Sequence, residues 1–282
     1  MILALVPLSV ATELGARALG RGGVGFADTG DPAGEQLNLA IASLTPRYTM
    51  FVGAELGPDA RILLRGGAMD SRTAAFAMGG GYRWISDDVL PDADGLPGWR
   101  VPSEALANPA IRQSAHIGFG VPFLERRLSL AGHARFDWMT SALSGKSNAF
   151  NFGFSVASVP IDELNVALGV FNLLDTGYDR VSREGHLGVR YAPVRVVGVE
   201  VDAEVPVDST IAFSTMALRA GVDVQPIEWL CVRAGWALES EHHFAAAGIA
   251  FTSERASIDY GVRVRLDRPE RNWHAVDVRV EF

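Results

Sequence analysis

From His274 to the C-terminus every second residue is apolar, with Val276, Val278, Val280 and Phe282 alternating with Asp277, Arg279 and Glu281. The preceding stretch repeats the pattern, setting Ile258, Tyr260, Val262 and Val264 against Asp259, Gly261, Arg263 and Arg265. So does Val197–Val205, whose intervening residues are Gly198, Glu200, Asp202 and Glu204. A period of two with one apolar and one charged face predicts β-strands. Fourteen such segments can be marked, beginning near Tyr48, Arg61, Thr73, Ser114, Arg127, Asn148, Asn165, Glu184, Val196, Phe213, Trp229, His242, Arg255 and Asn272.

Alternation alone does not separate a soluble sandwich, with its apolar face inside, from a membrane barrel, with that face outside. Strand number, turn lengths and aromatic placement do. Fourteen is even, and sharing Tyr48–Phe282 among the segments leaves about 17 residues for each strand and its connection, the spacing of an outer-membrane barrel. Connections at Asp70–Arg72, Leu124–Arg126, Ile161–Leu164, Pro193–Arg195, Pro226–Glu228 and Ser253–Glu254 are brief. The other set includes the longer Ser86–Gln113, Ser141–Ser147 and Asp175–Ser182. Trp84, Trp138 and Trp236 fall at one end of outward rows and Tyr48, Tyr191 and Phe282 at the other, predicting two interfacial girdles. The expected fold is therefore all-β: a 14-stranded antiparallel transmembrane β-barrel in a bacterial outer membrane.

Composition sharpens this picture. The chain is 48% hydrophobic, yet its longest apolar run, MILALVPLSVA, is too short for a membrane-crossing helix. That run reads as the apolar part of a secretory signal cleaved after Ala11, although a basic n-region is missing. A net charge of −8 excludes a general nucleic-acid binder, and the lone Cys231 excludes a disulfide framework.

Residues 15–23, Gly-Ala-Arg-Ala-Leu-Gly-Arg-Gly-Gly, then Val24–Asp31 and Asn38-Leu39-Ala40, resemble the opening of the FadL and PorV superfamily of outer-membrane barrels. That family typically reads GARALGMGGA, an acidic stretch, then NPAGL. Val170–Asp175 and the strand Val232-Arg-Ala-Gly-Trp are also similar to family segments. The resemblance implies a barrel whose N-terminal segment folds into the lumen as a plug, in proteins that move hydrophobic solutes or attach secretion substrates. It divides the chain into a signal remnant (1–11), a plug (12–45) and a barrel (46–282), with Gly15, Arg17, Gly20, Arg21, Gly22, Gly23, Asp31 and Asn38 as plug residues. Leu39 stands where the family has proline, and the chain is shorter than the fatty-acid carriers, with little loop to build a capturing cup.

Other motifs carry less. Gly20, Gly22 and Gly25 fit a dinucleotide fingerprint but lack the strand before and the acid after it, so a compact Gly-rich turn is the simpler reading. Gly145-Lys146-Ser147 ends like a P-loop, but Thr140 occupies the place of its first glycine. Asp87, Asp88, Asp92 and Asp94 lack the distal bidentate Glu of a calcium loop. No nucleophile, base and acid constellation is visible. The expectation is a protein without enzyme activity, cofactor or metal.

The inward row is the informative set: Arg61, Arg65, Arg83, His133, Arg135, Asp137, Arg190, Glu200, Asp202, Glu204, Arg219, Asp223, Arg233, Asp259, Arg263, Arg265, Asp277, Arg279 and Glu281. Its mixed signs predict cross-strand pairing and a lumen filled by compensating charge rather than selective for one ion sign. Arg17 or Arg21, if buried, needs an inward carboxylate such as Glu200, Asp202 or Asp277. Two functions are compatible: a barrel admitting small or apolar solutes, and a non-conducting barrel that anchors a secretion or gliding machine. Expected partners are outer-membrane lipid, the outer-membrane assembly machinery acting on the C-terminal strand ending in Phe282, and, in the anchoring case, other envelope proteins.

Overall fold

A computed structural model describes residues 15–29, 38–58, 61–86, 110–141, 145–174, 183–207, 216–239 and 241–282. The signal remnant, Asp31 and the acidic loop at 87–94 lie outside these. Among the described residues two short helices, α1 (Ala16–Gly20) and α2 (Leu39–Ser43), precede fourteen strands. These are β1 (Tyr48–Leu56), β2 (Ile62–Asp70), β3 (Ala77–Ser86), β4 (Ala110–Phe123), β5 (Leu128–Ser141), β6 (Gly145–Ile161) and β7 (Leu164–Phe171). The second half comprises β8 (Glu184–Val194), β9 (Val197–Pro206), β10 (Ala217–Ile227), β11 (Leu230–Glu239), β12 (His242–Thr252), β13 (Ala256–Arg265) and β14 (Arg268–Glu281).

Each strand pairs with its sequence neighbours, and β14 returns to β1 in antiparallel register, Thr49 opposite Glu281 and Val52 opposite Val278. The ring is closed, so no strand edge is left unpaired. Phe282 completes the seam: its N–H donates to the Tyr48 carbonyl at 2.9 Å, and the two rings meet at 5.7 Å.

The alternation is resolved with its apolar row outward. On β9, Val199 and Val201 are exposed while Glu200, Asp202 and Glu204 are buried, and on β14 Val276 and Val278 are exposed while Asp277 is buried. This inverts a soluble sandwich, which would bury the valines. The predicted girdle residues Trp138, Trp236, Tyr191 and Phe282 are all exposed on the outer surface.

Four strand starts differ from the sequence reading by four residues. β3 starts at Ala77 rather than near Thr73, because Asp70 accepts hydrogen bonds from the Arg72 and Thr73 backbone N–H groups, both 2.9 Å, and folds 71–76 into a turn. β4 and β14 begin four residues before the expected Ser114 and Asn272, and β10 begins at Ala217, four after the expected Phe213. The turn asymmetry is also incomplete. At the end opposite the termini, β11–β12 and β13–β14 are joined by two residues each, as tightly as any turn at the terminal end.

Candidate functional site in the lumen

The described parts of the N-terminal segment, 15–29 and 38–47, lie against the inward face of the ring. Residues Ala16, Ala18, Leu19, Arg21, Val24, Ala27, Asn38, Ala40 and Ile41 are almost wholly buried, α1 against β11–β14 and α2 against β3–β6. The glycines of its GARALGRGG stretch have a steric reason. Gly22 (φ 79°) and Gly23 (φ 98°) adopt left-handed backbone conformations. A Cβ on Gly22 would lie 2.7 Å from the Trp236 backbone nitrogen, and one on Gly20 would lie 2.8 Å from the Gly248 Cα. The segment thus runs against bare wall, where Gly221, Gly235, Gly248 and Gly261 present no side chain. Gly15 caps α1, its carbonyl accepting from Leu19 N–H at 2.8 Å. Asn38 caps α2 through Oδ1, which accepts from the Ala40 and Ile41 N–H groups, while its Nδ2 donates to the Phe26 carbonyl at 2.8 Å.

One side of the interior is ionic. The fully buried Arg21 reaches Asp28 at 2.8 Å, Glu200 at 3.0 Å and Asp223 at 3.4 Å. Arg17 shares Asp28 at 2.8 Å, and Arg190 binds Asp223 at 2.8 Å. Glu200 also accepts Ala27 N–H at 2.9 Å, while Asp202 accepts Gly25 and Phe26 N–H at 2.8 and 3.1 Å. Asp277 accepts Ala16 N–H at 2.5 Å and pairs with Arg65 at 2.6 Å. Barrel carboxylates therefore hold the segment by its guanidinium and by its backbone donors, the charge-assisted class of bond. Arg17 thus meets Asp28, an acid of its own segment.

The remaining inward residues pair among themselves. Arg219 bridges Glu204 and Glu239, both at 2.7 Å, and Glu239 takes Arg263 at 2.6 Å. Arg233 pairs with Asp259 at 2.6 Å and Arg135 with Asp137 at 2.8 Å. Arg83 and Arg279 donate to Ser114 and Ser257, at 3.1 and 3.2 Å.

The other side, toward the termini on β2 and β5–β7, is apolar. Leu39, Ala40, Ile41, Ala42 and Leu44 pack with Met69, Ala131, Ala157, Ala167 and Phe171. Its polar contacts include Ser43 with the Ser129 hydroxyl, both fully buried, and Arg126, which donates to the Ser43 carbonyl at 2.6 Å. Between this seat and the far end stands an aromatic group: Phe26, Phe171, His133 and His186, with centroid separations of 4.8–5.8 Å.

Asp28, Glu184, His186 and Glu239 escape the sequence reading as site residues. Glu239 was reachable by counting in twos from Arg233, and Glu184 and His186 share a face by the same rule. Asp28 lies in the segment, where no periodicity marks a direction.

No protein-family model matches the chain, and no curated protein matches it. Solved structures do. The Pseudomonas putida toluene transporter TodX superposes with a TM-score of 0.64 at 10% identity, over 95% of this chain and 96% of that one. A Pseudomonas aeruginosa FadL homologue gives 0.64 and 10%, over 95% and 98%. The monoaromatic hydrocarbon channel CymD gives 0.64 and 10%, over 96% and 97%. The shared property is the fold: a closed barrel of FadL type.

Proposed function

We propose that this chain, built on the FadL-type barrel fold, is an outer-membrane uptake barrel that admits small apolar solutes, its N-terminal segment serving as the plug. The observation that carries the reading is the division of the lumen. α1 and the 21–28 stretch are fixed by ion pairs and charge-assisted hydrogen bonds to β8–β10 and β14, whereas α2 rests on an apolar seat. Moving α2 breaks mainly dispersion contacts and opens a surface that an apolar solute can replace contact for contact. Moving α1 would strand buried charge.

The outward apolar row supports placement in a bilayer, since a ring of exposed valines and aromatics is stable only against hydrocarbon. The transporters sharing the fold are named for toluene and monoaromatic hydrocarbons. The aromatic group beside the seat offers flat rings a stacking surface.

The test locks α2. Ser43 and Ser129 are in side-chain contact, so the pair Ser43→Cys and Ser129→Cys forms a disulfide from α2 to β5, with the native Cys231 buried. Uptake of labelled toluene is followed in cells whose outer leaflet is lipopolysaccharide, because an ordinary bilayer passes hydrocarbons unaided. Oxidised protein should lose uptake and regain it with reductant. Equal uptake by locked and reduced protein overturns the gate, and the absence of uptake in both favours an anchoring barrel.

A further inference from the structure

Where β8 and β9 approach the end opposite the termini, three potential ligands converge. Glu184 and His186 stand two residues apart on β8 and so share its inward face, and His186 lies directly opposite Glu204 on β9. One ligand atom from each lies within 4.8 Å of the others. The His186 side chain is 8% exposed and that of Glu184 7%. The buried His186 Nε2 has no hydrogen-bond partner among the described residues, although buried ring nitrogens are ordinarily satisfied. Glu184 Oε2 stands 3.5 Å away, an ion-pair contact longer than an ordinary hydrogen bond.

We propose that Glu184, His186 and Glu204 bind a divalent transition-metal ion with zinc-like preference. A metal at about 2.1 Å from each donor in tetrahedral geometry separates ligand atoms by about 3.4 Å, close to the spacing between His186 Nε2 and Glu184 Oε2. One imidazole with two carboxylates suits zinc and its neighbours, whereas calcium and magnesium favour all-oxygen shells. Surrounding groups hold the ligands in place, as outer partners do in metal sites. Arg219 fixes Glu204 through its Oε2 at 2.7 Å, leaving the second oxygen for the ion. The His186 ring is clamped by Phe171 at 4.9 Å and Phe26 at 5.3 Å. Because Phe26 belongs to the N-terminal segment, an occupied site would stiffen the wall against which that segment rests.

The experiment uses the untagged, full chain in detergent, stripped with chelator and titrated with zinc alone against a chromogenic competitor. The expected result is one zinc per chain, with His186→Gln and Glu184→Gln each weakening binding at least tenfold. His242→Ala, at the exposed rim where His242 lies 3.6 Å from Asp267, should leave it unchanged. Absence of zinc binding, undiminished binding in His186→Gln, or loss in His242→Ala overturns the proposal. Should both ligand variants fail to give a heat-modifiable barrel, anomalous scattering from zinc-soaked wild-type crystals decides, with density at His186 supporting the site and its absence rejecting it.

Discussion

Replacing Arg21 by alanine tests whether charge holds the N-terminal segment in the lumen. Arg21 is fully buried, and its loss leaves Glu200, equally buried, with Arg190 at 3.7 Å and the Ala27 N–H, while Asp28 keeps Arg17 at 2.8 Å. Breaking a buried pair from one side costs about 3–5 kcal/mol. Two cations survive here, which places the cost near the lower end, about 3 kcal/mol. At about 1.4 kcal/mol per factor of ten, the undocked population rises roughly 100-fold. The barrel ladder is untouched. Trypsin reads the population directly, because Arg17 is cleavable only when the segment leaves the lumen, and cleavage tracks the open fraction when closing is fast. Arg21→Ala should therefore be cut at Arg17 about 100 times faster than wild type, with the barrel persisting as a heat-modifiable band. Adding Glu200→Gln removes the stranded charge while keeping an acceptor for Ala27, and should recover most of the protection. Wild-type cleavage of Arg21→Ala would refute the argument, as would a double variant no better protected than the single.

Three further outcomes are expected. Gly235→Ala places a methyl against the backbone carbonyl of Arg21, an overpacking cost of about 1–3 kcal/mol, so it should accelerate the same cleavage while the barrel still assembles. Val278→Arg puts a cation in the outward row opposite Val52, the middle residue of β1, and should lower barrel stability by about 2–4 kcal/mol in a bilayer unfolding titration. Deleting Phe282 removes its contacts with Tyr48 and the aromatic end of the C-terminal strand, and should reduce the yield of protease-resistant barrel in outer-membrane fractions. Unchanged yield would dismiss a targeting role for that residue.

The strands were legible because a barrel in lipid writes its two environments into alternate residues. Tyr48, Glu184 and His242 begin strands where the alternation begins. Legibility failed at residues 73–76, where a side chain, Asp70, captures backbone donors that alternation cannot register. The direction of each lumenal side chain followed from parity, so Glu200, Asp202 and Glu204 could be placed inward from sequence. Their partners were narrowed to Arg17 or Arg21 but not assigned one to one, because the N-terminal segment has no period. That Arg21 reaches Glu200 and Arg17 reaches Asp28 depends on the path of the segment through Gly22 and Gly23. The convergence of Glu184, His186 and Glu204 needed the β8–β9 register, which is a property of pairing rather than of either strand.

The ionic side of the lumen also bears on the order in which the molecule can be made. Glu200, Asp202 and Asp223 stand on adjacent strands, and an empty ring would bring them together without Arg21 or the segment's backbone donors to offset their repulsion. The segment that supplies those groups is synthesised before any strand and, once β14 meets β1, has walls on every side. It is thus a counter-ion that supplements Arg190, the cation that the wall itself supplies. Strands that close around an already docked segment meet a wall whose charge is largely offset, and the β1–β14 ladder then encloses it at the sides while the two ends of the lumen stay open.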